Sequence, residues 1–149
     1  MKRTEEVELT VLCLVEKENK ILLQNRVKDD WRGFTMPGGH IEAGESIVDA
    51  VVREMKEETG LTILNPKLRG IKQFPIENGR YIVFMFLATE FEGELISSDE
   101  GEMHWVDKSD IPNLDTVPDL QEMIDVILDE NLTEFQYIKE VDEWKVILR

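Results

Sequence analysis

Two runs in this chain leave no face for water. Glu8–Val15 (ELTVLCLV) is rich in β-formers and, beyond Thr10, apolar on both alternating sides; Tyr81–Leu87 (YIVFMFL) is apolar throughout. A strand sends successive side chains to opposite faces, so a strand with one wet face alternates and a continuously apolar one is covered on both. Residues 81–87 therefore belong in the middle of a sheet that needs layers above and below. Two segments have the helical period to supply them. Val48, Val51, Val52, Met55 and Thr59 form a stripe suited to burial, between a capping-box-like Ser46/Asp49 start and a glycine stop at Gly60. Asp119–Glu130 places Leu120, Met123, Ile124, Ile127 and Leu128 at helical spacing. Helices flanking a mixed sheet, an α/β class, follow from this pattern.

The remaining elements are shorter. A polar turn at Lys17–Lys20 leads into a strand at Ile21–Arg26, and Asp29–Gly33 reads as loop. Pro37 biases Met36 toward an extended backbone, while Gly38 and Gly39 allow close approach to a metal or phosphate. Leu68–Ile76 pairs with residues 81–87 around an Asn78-Gly79 turn; Phe91–Gly101 is an acidic loop and Met103–Val106 a short strand. Phe135–Lys139 and Glu143–Leu148 form a terminal hairpin. With 149 residues and 42% apolar content, the chain reads as one domain spanning residues 1–149.

The first helix has two further faces. Asp49, Arg53 and Lys56 fall on a solvated side. Glu54, Glu57 and Glu58 stand at i, i+3 and i+4, bringing three carboxylates onto one patch. Such like-charge pairs destabilise a helix by roughly 0.2–0.5 kcal/mol each. A hard divalent cation removes that repulsion, although a lone acidic face is more often simply solvated.

The triplet is not alone. Gly39, five residues, Glu45, seven residues, then Arg53-Glu54-Met55-Lys56-Glu57-Glu58-Thr59-Gly60-Leu61 resembles the Nudix box at every specified position. The resemblance implies a Nudix fold, an α/β/α sandwich with a mixed β-sheet, and hydrolysis of a nucleoside diphosphate linked to a further group with Mg²⁺ or Mn²⁺. It makes Glu57 and Glu58 first-choice metal ligands, Glu54 a further ligand or the general base, and the Gly38 carbonyl an additional ligand. Glu100 is favoured over Glu102 as the carboxylate from outside the box. Arg53 holds the site by pairing with Glu45 and Glu57 or touches substrate, the first being favoured. Arg26 is either a phosphate contact or a surface residue, and Trp31 and Trp105 either pack or line a base pocket.

Glu90-Phe91-Glu92-Gly93, Glu100-Gly101 and Trp105-Val106 are similar to the pattern of MutT-type members. That likeness implies cleavage of a nucleoside triphosphate, 8-oxo-dGTP included, to monophosphate and pyrophosphate in nucleotide-pool sanitation. Asp119 either matches a base-reading aspartate or is an ordinary helix N-terminal aspartate, the two being equally weighted because Val117 and Leu120 replace the tryptophan and second aspartate expected beside it. His40 stands where such members carry lysine. Other Nudix substrates, a nucleotide sugar or a dinucleoside polyphosphate, are the enzymatic alternative; a non-catalytic ligand sensor is the other, disfavoured by the retained carboxylates.

Charge narrows the partners. A formal net charge of −15 excludes a general nucleic-acid binder and requires an anionic substrate, here a small nucleotide, to arrive with metal. The single cysteine, Cys13, excludes an internal disulfide, and His40 and His104 are not spaced with it for zinc. With no signal-like start and no 18-residue apolar run, a cytoplasmic protein free of membrane is expected.

Overall fold

The computed structural model describes residues 2–28 and 31–149; the loop reading at Asp29 and Asp30 lies outside the described residues. Strand β1 (Glu6–Lys17) is the spine of the sheet. On one side it runs parallel to β7 (Gly79–Ala88), in register from Glu6↔Gly79 to Val15↔Ala88. Beyond β7 lie β6 (Lys67–Ile76), β10 (Glu134–Glu140) and the edge strand β11 (Glu143–Leu148). The run 81–87 is therefore central, and the sheet mixes parallel and antiparallel pairs.

On its other side β1 changes partner along its length. Thr10–Leu12 pair with the short β4 (Gly38–His40), while Glu16 and Lys17 turn into β2 (Lys20–Arg26). β2 in turn holds β3 (Gly33–Thr35) and β9 (Gly101–Asp107). The double glycine thus opens a short strand. A side chain on Gly38 would put its Cβ 2.1 Å from the Val11 carbonyl oxygen, so only glycine fits against β1 here.

The two apolar faces of β1 are covered as their composition requires. Val11, Cys13 and Val15 pack with Ala50, Val51 and Met55 of helix α1 (Ile47–Thr59). Leu12 and Leu14 pack with Leu120, Met123, Ile124 and Ile127 of helix α2 (Leu120–Leu128) and with Phe135. Each fully buried Val, Leu, Ile, Met or Phe side chain among these contributes about 1.5–3 kcal/mol. The result is an α/β/α sandwich. No described helix is long and apolar enough to cross a membrane.

Several local expectations are corrected. Val48 is 49% exposed, because α1 is turned so that Ala50 and Glu54, four apart, face the sheet. Arg53 is not on a solvated side but at the hub of an ion-pair cluster. The hairpin between β6 and β7 turns at Glu77-Asn78, with Asn78 at φ 68, and Gly79 already pairs with Ile76. Gly79 is needed there because a Cβ would lie 1.6 Å from the Glu6 carbonyl oxygen of β1. The acidic loop begins as a strand, β8 (Glu90–Glu92), paired with β5 (Thr62–Leu64), and Phe91 stacks on Trp105 at 5.5 Å. Trp105 is accordingly a packing residue on β9, which is longer than expected because all seven of its residues pair with β2.

Candidate active site

Helix α1 is fixed at both ends before it presents its acidic face. The Ser46 hydroxyl accepts from the Asp49 N–H at 3.3 Å, and Gly60 closes the other end at φ 82. Arg53 then organises the carboxylates. Its guanidinium donates through Nε and a terminal nitrogen to both Glu45 oxygens, at 2.8 and 2.9 Å. The other terminal nitrogen donates to Glu54 at 3.0 Å and Glu57 at 3.2 Å, and a further bond reaches the His40 carbonyl at 3.0 Å. This fork is a geometry that lysine could not supply. Arg53 holds the Glu45 carboxyl down at about 2, chiefly through these hydrogen bonds, and its own pKa is raised in return.

Glu54 is the most buried of the acids, at 9% exposure. Its pKa is raised, first by desolvation; the Arg53 bonds work against this, and the charges of Glu57 and Glu100 reinforce it. Glu58 is raised by desolvation and then by Glu100. The Ser98 hydroxyl donates to Glu58 at 3.1 Å and accepts from the Glu100 N–H at 3.3 Å, tying α1 to the turn that carries Glu100. Gln24, 3% exposed on β2, donates to the same hydroxyl at 3.4 Å. Glu100 also faces cations, with Arg26 at 3.8 Å and Lys28 at 3.5 Å.

These groups open on one cavity of about 690 Å³. Gly38, Gly39, Glu54, Glu57, Glu58, Glu100 and Arg26 all line it, whereas the candidates Arg53, Asp119, Glu102 and Trp105 do not. Arg53 acts from behind, through the carboxylates it holds. Glu102, the rival to Glu100, has a side chain 77% exposed, pairs with His104 at 3.4 Å and is outside the cavity lining. Gly39 is part of the construction: a Cβ there would fall 2.3 Å from a Glu54 oxygen. Trp31 lines the cavity and lies over the Arg26 guanidinium at 5.1 Å, whose Nε also donates to the Trp31 carbonyl at 2.9 Å. His40 is on the rim, beside Glu8.

Another wall is aromatic and apolar, built by Phe74, Tyr81, Val83, Met36 and Met123, with Lys72 set among them. Phe74 and Tyr81 stack on each other at 4.8 Å. Asp119 stands at the start of α2 in a left-handed conformation, φ 64, without a capping bond from its side chain. It accepts instead from the Tyr137 hydroxyl. Val117 and Leu120, each 1% exposed, belong to the core beneath. Sequence reasoning missed Lys72, Gln24 and Ser98. Lys72 shares strand parity with Phe74 and Gly70, the one signal that would have placed it on the cavity side.

The donor set suits a divalent cation. Glu54 and Glu58 have raised proton affinity because they are desolvated among like charges, and a hard cation among oxygen donors relieves both effects. Among the described residues no three His, Cys, Asp or Glu side chains are arranged to hold a metal ion by themselves. Substrate phosphate oxygens would have to complete the coordination of any ion held there.

The NUDIX domain family model matches residues 7–127. An uncharacterised Nudix hydrolase of Bacillus subtilis (strain 168) is 38% identical over 122 residues, covering 78% of this chain and 76% of its own length. An ADP-ribose pyrophosphatase of Methanocaldococcus jannaschii is 39% identical over 105 residues, covering 68% of this chain and 62% of its own length. Among solved structures, a mutator MutT protein from Bacillus halodurans superposes with a TM-score of 0.76 at 33% identity, over 93% of this chain and 97% of that one.

Proposed function

This chain belongs to the Nudix family, hydrolases of nucleoside diphosphate-linked substrates, and from that premise we propose that it cleaves a nucleoside triphosphate to nucleoside monophosphate and pyrophosphate, acting as a single domain in nucleotide-pool sanitation in the cytoplasm. One observation carries the reading: a carboxylate wall and an aromatic wall face the same cavity, whose 690 Å³ suits a whole nucleotide. The likeness to the MutT protein supports it.

Glu57, Glu58 and Glu100, with Glu54 and the Gly38 carbonyl, would hold Mg²⁺ or Mn²⁺, which when bound neutralises phosphoryl charge and lowers the pKa of water. The chain's own contribution is orientation. Arg53 fixes Glu54 and Glu57 through two hydrogen bonds and is itself fixed by Glu45. Ser98 fixes Glu58. Glu54, held by Arg53 against Gly39, would either ligate or take the proton of the attacking water. Arg26, at the cavity edge beside Trp31, is the candidate phosphate contact. In-line attack of water on a phosphoryl group needs this fixed geometry more than any covalent partner.

A substrate panel with Mg²⁺, run in ¹⁸O-labelled water, tests the proposal. The expected result is pyrophosphate release from deoxynucleoside triphosphates, 8-oxo-dGTP included, with label in the pyrophosphate. Label only in the monophosphate would refute attack at the β-phosphorus. The second reading, hydrolysis of ADP-ribose, is favoured by the named activity of the 39% identical relative. It predicts AMP and ribose phosphate from ADP-ribose at a higher kcat/KM than any triphosphate gives.

A further inference from the structure

Lys72 is the residue that the catalytic account leaves unused. It lies on β6, is 8% exposed, and lines the cavity among Phe74, Tyr81 and Met123. Its ammonium donates to the Met123 sulfur at 3.6 Å and stands 5.1, 5.3 and 5.8 Å from the ring centres of Phe135, Tyr137 and Phe74. Among the described residues it has no carboxylate within ion-pair distance. Asp119 acts on it only through its longer-range charge, and Asp119 is already the acceptor of the Tyr137 hydroxyl. Sulfur is a weak acceptor and ring faces have no lone pairs in hydrogen-bonding position. A buried ammonium with three donors and no oxygen partner is costly, and burial pulls its pKa down to about 8.

We propose that Lys72 selects the nucleobase, donating from the cavity wall to a carbonyl oxygen of a 6-oxopurine and disfavouring the 6-aminopurine that presents N–H groups at the same edge. This deepens the triphosphatase reading and rests on it for the placement of the phosphates. Those phosphates belong at the carboxylate wall with the metal, which leaves the base for the aromatic wall. Guanine offers the O6 and N7 acceptors side by side, whereas adenine replaces O6 with an amino donor. An ammonium facing that amino group would set donor against donor. A site built to donate to one oxygen rejects the analogue that lacks it, because the buried donor is then left unpaired.

Two measurements on the full chain with Mg²⁺ test this. Calorimetry compares the binding of dGMP and dAMP, and kinetics compares kcat/KM for dGTP, dITP and dATP. dITP keeps O6 and lacks the 2-amino group. dGMP should bind about ten-fold or more tightly than dAMP, as one hydrogen bond to a charged group gives, and dITP should follow dGTP. Lys72→Met, which keeps the apolar volume, should collapse the dGTP-to-dATP ratio; Lys72→Gln, which keeps a donor, should retain part of it. Equal binding of the two monophosphates by the wild-type protein, with dGTP and dATP hydrolysed alike, would overturn the Lys72 proposal and leave the triphosphatase reading standing. Ten-fold preference for dGMP that is lost in Lys72→Met, without hydrolysis of any triphosphate, would support Lys72 as base reader and end the triphosphatase reading, whereas a preference unchanged in a folded Lys72→Met would overturn the Lys72 proposal. The wild-type comparisons do not depend on whether either variant folds.

Discussion

Gly39→Ala tests whether the carboxylate wall is positioned by the strand opposite it. The backbone of Gly39 needs no left-handed conformation, so alanine is conformationally acceptable, but its Cβ would lie 2.3 Å from a Glu54 oxygen and 2.4 Å from the carboxyl carbon. Glu54 has little room to yield: it is 9% exposed and tied to Arg53 at 3.0 Å. Restoring ordinary contact displaces the carboxylate by about 1 Å, and misplacement on that scale costs on the order of 10²-fold in rate. The accompanying loss of stability should be small, about 1 kcal/mol for a strained or broken hydrogen bond. Steady-state kinetics at saturating Mg²⁺ and the thermal unfolding midpoint separate the two effects. Gly44→Ala is the control, since Gly44 sits at φ 79 with nothing within 4 Å of an added Cβ. It should lose about 1 kcal/mol through backbone strain while its activity per folded molecule is unchanged. If Gly39→Ala keeps kcat/KM within about three-fold of wild type while Glu54→Gln is inactive, Gly39 does not set the position of Glu54 and the argument from close approach fails.

Four further outcomes are expected. Glu57→Gln, at a half-exposed position, should lower turnover by orders of magnitude without moving the unfolding midpoint, and a chelator should abolish wild-type activity until Mg²⁺ or Mn²⁺ is restored. Glu100→Gln should weaken Mg²⁺ binding measured by calorimetry, whereas Glu102→Gln should not, because only Glu100 lines the cavity. The Glu45 carboxyl is held down at about 2, so its stabilisation is complete above the ordinary carboxylate range and is lost as pH falls through that value. Urea unfolding should therefore show a constant gap between wild type and Glu45→Gln at neutral pH that narrows in acid. Val51→Ala should cost about 2 kcal/mol in the same assay, and Val48→Ala under about 0.5 kcal/mol, as befits a core and a half-exposed position.

The fold was legible wherever a pattern had only one physical solution. β1 and β7 could not be wet on either face, and the two helices were the only elements with stripes able to cover them. The carboxylate triplet was legible because helical spacing alone places Glu54, Glu57 and Glu58 together. What the sequence hid depends on contacts between distant segments. The Gly38-Gly39 strand exists because β1 passes within contact distance of it, and the Glu77-Asn78 turn is set by the approach of Glu6 to Gly79. Val48 fits the apolar stripe but lies in the first turn of a helix rotated to bury Glu54, a rotation that periodicity cannot report. Gln24 and Ser98 matter only because β2 and the turn before β9 meet over Glu58.

Charge balance connects these pieces. The chain carries a net −15, yet the acids around the cavity are not left to repel one another unaided. One guanidinium, Arg53, serves Glu45, Glu54 and Glu57; a hydroxyl serves Glu58; Arg26 and Lys28 serve Glu100. That supply holds the carboxylates in place without neutralising them, and desolvation, reinforced by neighbouring carboxylate charge, raises the proton affinity of Glu54 and Glu58. Lys72 has the opposite mismatch, a buried positive charge with no carboxylate at ion-pair distance among the described residues and a proton affinity lowered by desolvation. The two mismatches have opposite sign and line one cavity. Neither can cancel the other, because the ammonium is fixed among aromatic rings and the carboxylates around Arg53. A ligand that brings divalent charge to one wall and a neutral oxygen acceptor to the other relieves both, and a metal-bound nucleotide with an oxo-substituted base has that distribution.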